Sequence, residues 1–319
     1  MPLIDMPLEK LYLYDGSSPC PKDIDEYWDE ALKELDNIDP KEEFIKKEFK
    51  SKCGDFYDLY FTGTKGARIN ARFGKPKNID GKVPAILKFH GLSCSADSWC
   101  GLLKYISQGF CVAFMDVRGQ GGESEDVGNV KGSTYSTPFT RGIDGGKHDL
   151  LMRDVYLDTA LLAKIIMNLN YVDENRIGVT GASQGGGLSI ACAALVPKIK
   201  KCAPIYPYLS DYKRIWNMDL CNNGHNGINY YFKNQDPRHK TEDEFFEKLG
   251  YIDIQNIAKR IKADVLMATG LMDNCCPPSS QFATYNKITS KKQVEIYPDF
   301  GHEWLIGHDD LIFEFMSDL

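Results

Sequence analysis

Ser183 lies in Gly181-Ala182-Ser183-Gln184-Gly185, a Gly-x-Ser-x-Gly pentapeptide suited to a nucleophilic hydroxyl on a tight turn. The preceding Arg176-Ile-Gly-Val-Thr180 reads as a short buried strand, and Gly186 to Leu195 as a helix of small and apolar side chains. A strand–turn–helix of this kind presents the serine on strained backbone and aims the next N–H, that of Gln184, at the same space. A hydroxyl is a poor nucleophile until a base takes its proton, and the base needs an anion to fix its tautomer. On such an elbow the chain order is nucleophile, acid, histidine. His225, His239, His302 and His308 follow Ser183. His302, in Asp299-Phe-Gly-His-Glu303, leaves the C-terminal end of the last expected strand and is the candidate base. His225 and His239 fall in an expected insertion, and His308 adjoins the last helix. Asp273, in Gly270-Leu-Met-Asp-Asn-Cys-Cys-Pro-Pro278, follows the penultimate strand and is the candidate acid. Asp264 begins that strand at the wrong end, and Asp299 and Glu303 sit too close to His302 to orient it. A second oxyanion donor belongs in the loop after the strand ending at His90-Gly91-Leu92, where the Leu92 N–H is the candidate. His90 precedes the nucleophile and is assigned a structural role.

The elements that would carry these residues alternate. Residues 1–50 read as helical and polar, with Lys22 to Lys33 the best helix. Strands are expected at Phe56–Phe61, Arg68–Phe73, Pro84–Phe89, Phe110–Met115, Lys201–Tyr206, Ala263–Thr269 and Gln293–Tyr297. Helices are expected at Ala96–Ser107, Met152–Asn170 and Leu311–Ser317; in the second, Val155, Leu162, Ile165, Ile166 and Leu169 fall at helical spacing. A glycine-rich loop runs from Arg118 to about Lys147, and residues 209–260 read as a helical, charged insertion, a candidate lid. Alternation predicts an α/β fold with a mostly parallel sheet and helices on both faces. One domain is expected over 1–319, with 1–50 as an N-terminal extension.

Composition narrows the alternatives. Of 319 residues, 43% are hydrophobic and 26% charged, ordinary for a globular chain. A net charge of −7 argues against a nucleic-acid partner. The lysine run Lys46 to Lys52 is interrupted by Glu48 and reads as a solvated face. No eighteen-residue apolar window suggests a membrane span, and the first ten residues lack a leader pattern, so a cytoplasmic protein is expected. The ten cysteines are scattered without C-x-x-C and read as buried free thiols, Cys111 and Cys192 among them. Cys275-Cys276 is a vicinal pair beside Asp273, for which a redox or metal role is the minority reading. No H-E-x-x-H occurs, and neither a metal nor an organic cofactor is expected.

Arg118-Gly119-Gln120, Gly181-Ala-Ser183-Gln184-Gly185 and His302-Glu303, in that order, resemble carbohydrate esterase family seven, the acetyl xylan esterases and cephalosporin-C deacetylases. Phe89-His-Gly-Leu, Tyr206-Pro207-Tyr208-Leu-Ser and Gly270-Leu-Met-Asp are similar to the same family, so the resemblance covers nearly the whole chain. It implies an α/β-hydrolase fold, a Ser183–Asp273–His302 triad and oxyanion donors at Leu92 and Gln184. It further implies deacetylation of short sugars and cephalosporin C, and a cytoplasmic hexameric ring. Leu92 departs from the aromatic residue usual after His-Gly in that family. Arg118, with Gln120, is either a substrate contact or a brace of its loop, and the brace is favoured. Tyr206, Pro207 and Tyr208 either border the pocket or pack in the core. Two other readings stay open: a serine peptidase or broad carboxylesterase of the same fold, and a non-catalytic ligand-binding relative.

Overall fold

The computed structural model describes residues 4–128 and 137–319. Residues 1–3, and residues 129–136 within the expected glycine-rich loop, lie outside the described residues. Among the described residues nine strands form one sheet: β1 (Glu43–Lys47), β2 (Gly54–Thr62), β3 (Arg68–Pro76), β4 (Val83–Phe89), β5 (Cys111–Met115), β6 (Val172–Ala182), β7 (Lys201–Ile205), β8 (Asp264–Gly270) and β9 (Lys292–Tyr297). Their order is β1-β2-β3-β5-β4-β6-β7-β8-β9. The first four pair antiparallel, and every contact from β5 to β9 is parallel.

The helices are α1 (Leu8–Leu11), α2 (Ile24–Leu35), α3 (Trp99–Ile106), α4 (Leu151–Met167), α5 (Gln184–Leu195), α6 (Tyr212–Asn217), α7 (Asn226–Asn234), α8 (Glu242–Gly250), α9 (Ile254–Ile257), α10 (Pro278–Lys287) and α11 (His308–Ser317). The period-2 alternation of strand side chains sorts them into two cores. Ala85, Leu87 and Phe89 of β4, with Cys111, Ala113 and Met115 of β5, join the core under α2, α4 and α5. Ile86, Val112 and Phe114 point the other way, to Leu102 and Ile106 of α3 and Ile312 and Met316 of α11. Strands buried on both faces read as unbroken apolar runs, as β4 and β5 do. Every residue of α5 is buried, consistent with a sequence apolar all round.

Two expectations about elements need correction. Residues 43–47 are not helical: they form β1, an edge strand in full register with β2. Lys46 and Lys47 are the charges with which an exposed edge resists further pairing, and they hid the strand signal. Phe44 packs edge-on to Phe73 at 5.3 Å between ring centroids, and Lys47 pairs with Asp58 of β2 at 2.6 Å. The helix expected from Ala96 begins at Trp99. The Asp116 carboxylate accepts from the Ala96 N–H at 2.6 Å, and the Asp97 side chain accepts from the Ser98 N–H at 2.6 Å. These side-chain acceptors compete with a first helical turn.

Residues 209–260 carry α6 to α9, joined by loops. All ten thiols are free, but Cys20, Cys94 and Cys100 are exposed rather than buried. Among the described residues no helix is long and apolar enough to cross a membrane.

Candidate active site

The turn between β6 and α5 is a strained point of the fold. Ser183 has φ 58° and ψ −120°, a conformation a side chain rarely adopts, and one that costs about 1–3 kcal/mol. Three backbone hydrogen bonds hold it there. Its N–H donates to the Ile205 carbonyl, and its carbonyl accepts from Gly187 and Tyr208, each at 3.0 Å. A Cβ on Gly185 would overlap the Phe89 carbonyl at the end of β4. Glycine there lets α5 start against the sheet and leaves the Ser183 hydroxyl standing on the turn.

The Ser183 Oγ lies 2.9 Å from His302 Nε2, and His302 Nδ1 lies 2.8 Å from Asp273 Oδ2. Three residues far apart in sequence thus meet beyond the C-terminal ends of β6, β8 and β9. The β8 and β9 loops are laced together: Leu271 N–H donates to the Tyr297 carbonyl, and Met272 N–H to that of Phe300. Gly270 sits where a Cβ would strike the Phe300 carbonyl, so the two loops touch along their backbones. The Glu303 carboxylate accepts from the Gly301 N–H at 3.0 Å and closes the turn carrying His302.

Asp273 is 0% exposed. Its Oδ1 accepts from the Cys275 and Cys276 N–H groups at 2.9 and 2.8 Å, and Gln281 Nε2 approaches Oδ2 at 3.3 Å. Burial alone would push the His302 imidazole down. The hydrogen bond and charge of Asp273 outweigh it and leave His302 above its ordinary value. The Tyr206 ring lies 4.7 Å from the imidazole, and Pro207 backs the elbow beside Gly186.

His90 Nε2 accepts from the Val117 N–H at 2.9 Å, so that nitrogen carries no proton and Nδ1–H donates to the Gly91 carbonyl at 2.7 Å. Burial favours the neutral form. Because a trans peptide sets its C=O and N–H in opposite directions, fixing the Gly91 carbonyl also fixes the Leu92 N–H. Neither Leu92 N–H nor Gln184 N–H has a hydrogen-bond acceptor among the described residues. Gln184 opens α5, where unpaired N–H groups and the helix dipole favour negative charge. Gln120 joins the two loops. Its Oε1 accepts from the Ser93 N–H at 2.8 Å, and its amide pairs reciprocally with that of Gln184 at 2.9 and 3.1 Å.

Arg118 is buried and away from these atoms. Its guanidinium forks onto both oxygens of the equally buried Asp158 and donates to the Thr64 carbonyl and hydroxyl. It is a brace between its loop, α4 and the end of β2. Arg118→Met would strand the Asp158 carboxylate in the core and cost about 3–5 kcal/mol, while Arg118→Met with Asp158→Leu would recover most of the loss. Urea unfolding of both variants checks this; a single variant within 1 kcal/mol of the parent, on the order of a surface change, would refute it.

Sequence reasoning passed over Gln281 and the Cys275 and Cys276 N–H groups that hold Asp273. Their only signal is the Asp-x-Cys-Cys turn itself, an acidic side chain bonding backbone two and three residues on. His225 is buried beside Tyr208, their rings 4.6 Å apart, and burial, then the charge of His302, pushes its imidazole down to about 3. His308 is the first residue of α11, 3.2 Å from the Tyr297 hydroxyl. Neither bonds Ser183 or Asp273.

Comparison with known proteins gives a consistent neighbourhood. The sequence model of the acetyl xylan esterase (AXE1) family matches residues 1–319. The acetyl esterase Axe7A of Xylanibacter ruminicola is 28% identical over 296 residues, covering 88% of this chain and 63% of that protein; the match thus spans less than two thirds of the curated relative. Acetyl xylan esterase 1 from Thermoanaerobacterium sp. JW/SL YS485 is 53% identical, with a TM-score of 0.97 and 99% of each chain covered. An acetyl xylan esterase from Paenibacillus sp. R4 is 32% identical, with a TM-score of 0.94, covering 98% of this chain and 99% of its own.

Proposed function

The chain belongs to the acetyl xylan esterase family, and from that premise we propose that it is a serine esterase removing acetyl groups from acetylated xylo-oligosaccharides and small esters such as cephalosporin C. The observation that carries this reading is the continuous hydrogen-bonded chain Ser183–His302–Asp273 at 2.9 and 2.8 Å.

In the first step His302 Nε2 takes the Ser183 proton as Oγ attacks the ester carbonyl. Negative charge builds on the carbonyl oxygen, where the Gln184 and Leu92 N–H groups donate. Asp273 stabilises the imidazolium across Nδ1. His302 then protonates the departing sugar hydroxyl, leaving an acetyl ester on Ser183. Water repeats the sequence, its proton going to His302 and returning to Ser183 as acetate leaves. His90 and Gln120 are positioning residues: one orients the Leu92 peptide, the other ties that loop to Gln184. No metal or organic cofactor enters these steps.

A cytoplasmic location and a homo-hexameric ring complete the reading. Trp304 and Ile306, 68% and 74% exposed just past His302, give such an assembly an apolar face to cover.

A substrate panel tests the proposal. Acetylated xylo-oligosaccharides, cephalosporin C and p-nitrophenyl acetate should all be hydrolysed. Each added acyl methylene should lower kcat/KM by roughly tenfold or more where the pocket fits acetyl. Cleavage of peptide anilides with no turnover of p-nitrophenyl acetate would replace the esterase by a peptidase.

A further inference from the structure

Cys275 and Cys276 are not used by the mechanism through their sulfur atoms, yet both sulfurs face the catalytic imidazole. The two Sγ atoms and a ring nitrogen of His302 all lie within 4.8 Å of one another. Cys276 is buried and Cys275 half-buried, so the cluster has an inner wall and an open side. Across that opening the Cys275 thiol donates to the Asn223 carbonyl at 2.9 Å, on the loop between α6 and α7. We propose that Cys275, Cys276 and His302 form a binding site for a borderline-soft divalent cation of the zinc class, and that its occupancy switches hydrolysis off.

The donor set is the one such an ion selects. Two thiolates and an imidazole suit zinc and exclude magnesium or calcium, which prefer oxygen. With bonds of about 2.3 Å to sulfur and about 2.0 Å to nitrogen, these tetrahedral ligands stand roughly 3.5–3.8 Å apart. Side-chain rotations that close the cluster by about 1 Å reach that geometry. Binding is a proton exchange without redox change: the ion displaces one proton from each thiol, two metal–sulfur bonds form, and the dication and two thiolates cancel in charge. Solvent supplies the fourth ligand on the open side.

The consequence for catalysis does not depend on which ring nitrogen binds. With Nδ1–H donating to Asp273, Nε2 carries the free lone pair, and a metal there displaces the Ser183 hydroxyl. It also finds the imidazole already backed by a carboxylate, the outer support common to metal-bound histidines. A metal at Nδ1 would break the Asp273 bond instead. Either way, a hydrogen bond that catalysis needs is replaced by a metal bond.

The inhibitory half rests on the esterase reading, whereas the binding half does not, and two readouts separate them. Purified full-length protein in metal-free buffer is titrated with Zn2+ while p-nitrophenyl acetate hydrolysis is followed. Activity should fall, return on adding EDTA, and be indifferent to Mg2+. Cys275→Ser, measured against its own zinc-free rate, should need at least roughly tenfold more Zn2+ for half-inhibition. Separately, Co2+ should give a thiolate-to-metal charge-transfer band with the parent and with Ser183→Ala, and with Cys275→Ser, which keeps the Cys276 thiolate, only a weaker band reached at higher Co2+. Equal half-inhibition in the parent and Cys275→Ser, or no thiolate band in the parent, overturns the proposal. A band in a protein that hydrolyses no ester would leave the metal site standing and discard the esterase reading.

Discussion

Ser183→Ala lowers kcat on p-nitrophenyl acetate by at least roughly 10⁴-fold while the protein keeps its fold. The size of the effect follows from what the hydroxyl touches. Its side-chain hydrogen bond is to His302, and the backbone bonds that pin residue 183 come from its own N–H and C=O. Alanine therefore removes the attacking oxygen and leaves the elbow braced at Ile205, Gly187 and Tyr208. An unchanged far-UV spectrum and a melting temperature close to the parent's check the second half. The residual rate should still exceed that in buffer, because the Leu92 and Gln184 N–H groups remain and an oxyanion site without its nucleophile retains some catalysis. Hydrolysis within tenfold of the parent would mean that another residue attacks. A ligand-binding relative without catalysis would have no rate to lose, so the same measurement tests that reading.

Sequence showed the elbow because tight turns impose local rules. Only small residues fit at Gly181 and Gly185, and the apolar runs on either side have different periods. Asp273 and His302 could be placed once the order of strands was known, since a residue just past a parallel strand lands at the same sheet edge as the elbow. What holds those side chains was illegible. Gln281 reaches Asp273 from one turn into α10, and Gln120 finds Gln184 across 64 residues. Such pairs depend on how loops fold back, which no periodicity records. Position before Ser183 gives His90 a structural role. Its specific bonds, to the Val117 N–H and the Gly91 carbonyl, depend on two loops meeting and leave no mark in the sequence. β1 is the plainest case hidden from sequence: the charges that protect an edge strand imitate a polar helix. Arg118 shows the converse: sequence gave two roles for its charge, and burial against Asp158 leaves the brace.

Asp273→Asn should be nearly as damaging as losing the nucleophile, with kcat down by roughly 10⁴. Position 273 offers two inequivalent sites. Oδ1 accepts from two backbone N–H groups, so the asparagine carbonyl oxygen is forced there. Its NH2 must then occupy the Oδ2 position, facing His302 Nδ1, which the carboxylate had met as an acceptor. The imidazole answers by moving its proton: Nδ1 becomes the acceptor and Nε2 carries the hydrogen. Nε2–H cannot receive the Ser183 proton, so the hydroxyl is left beside a donor instead of a base. Substrate binding needs none of this, and KM should change far less than kcat. The pH profile carries a second signature. Catalysis requires neutral His302, so in the parent kcat/KM rises with pH across an apparent pKa above the ordinary 6.5 or so of histidine. The variant removes the hydrogen bond and charge that oppose burial, and its rising limb should move to lower pH even as its plateau collapses. A variant that retained kcat within tenfold, or whose limb stayed in place, would show that the carboxylate neither sets the tautomer nor holds the imidazolium.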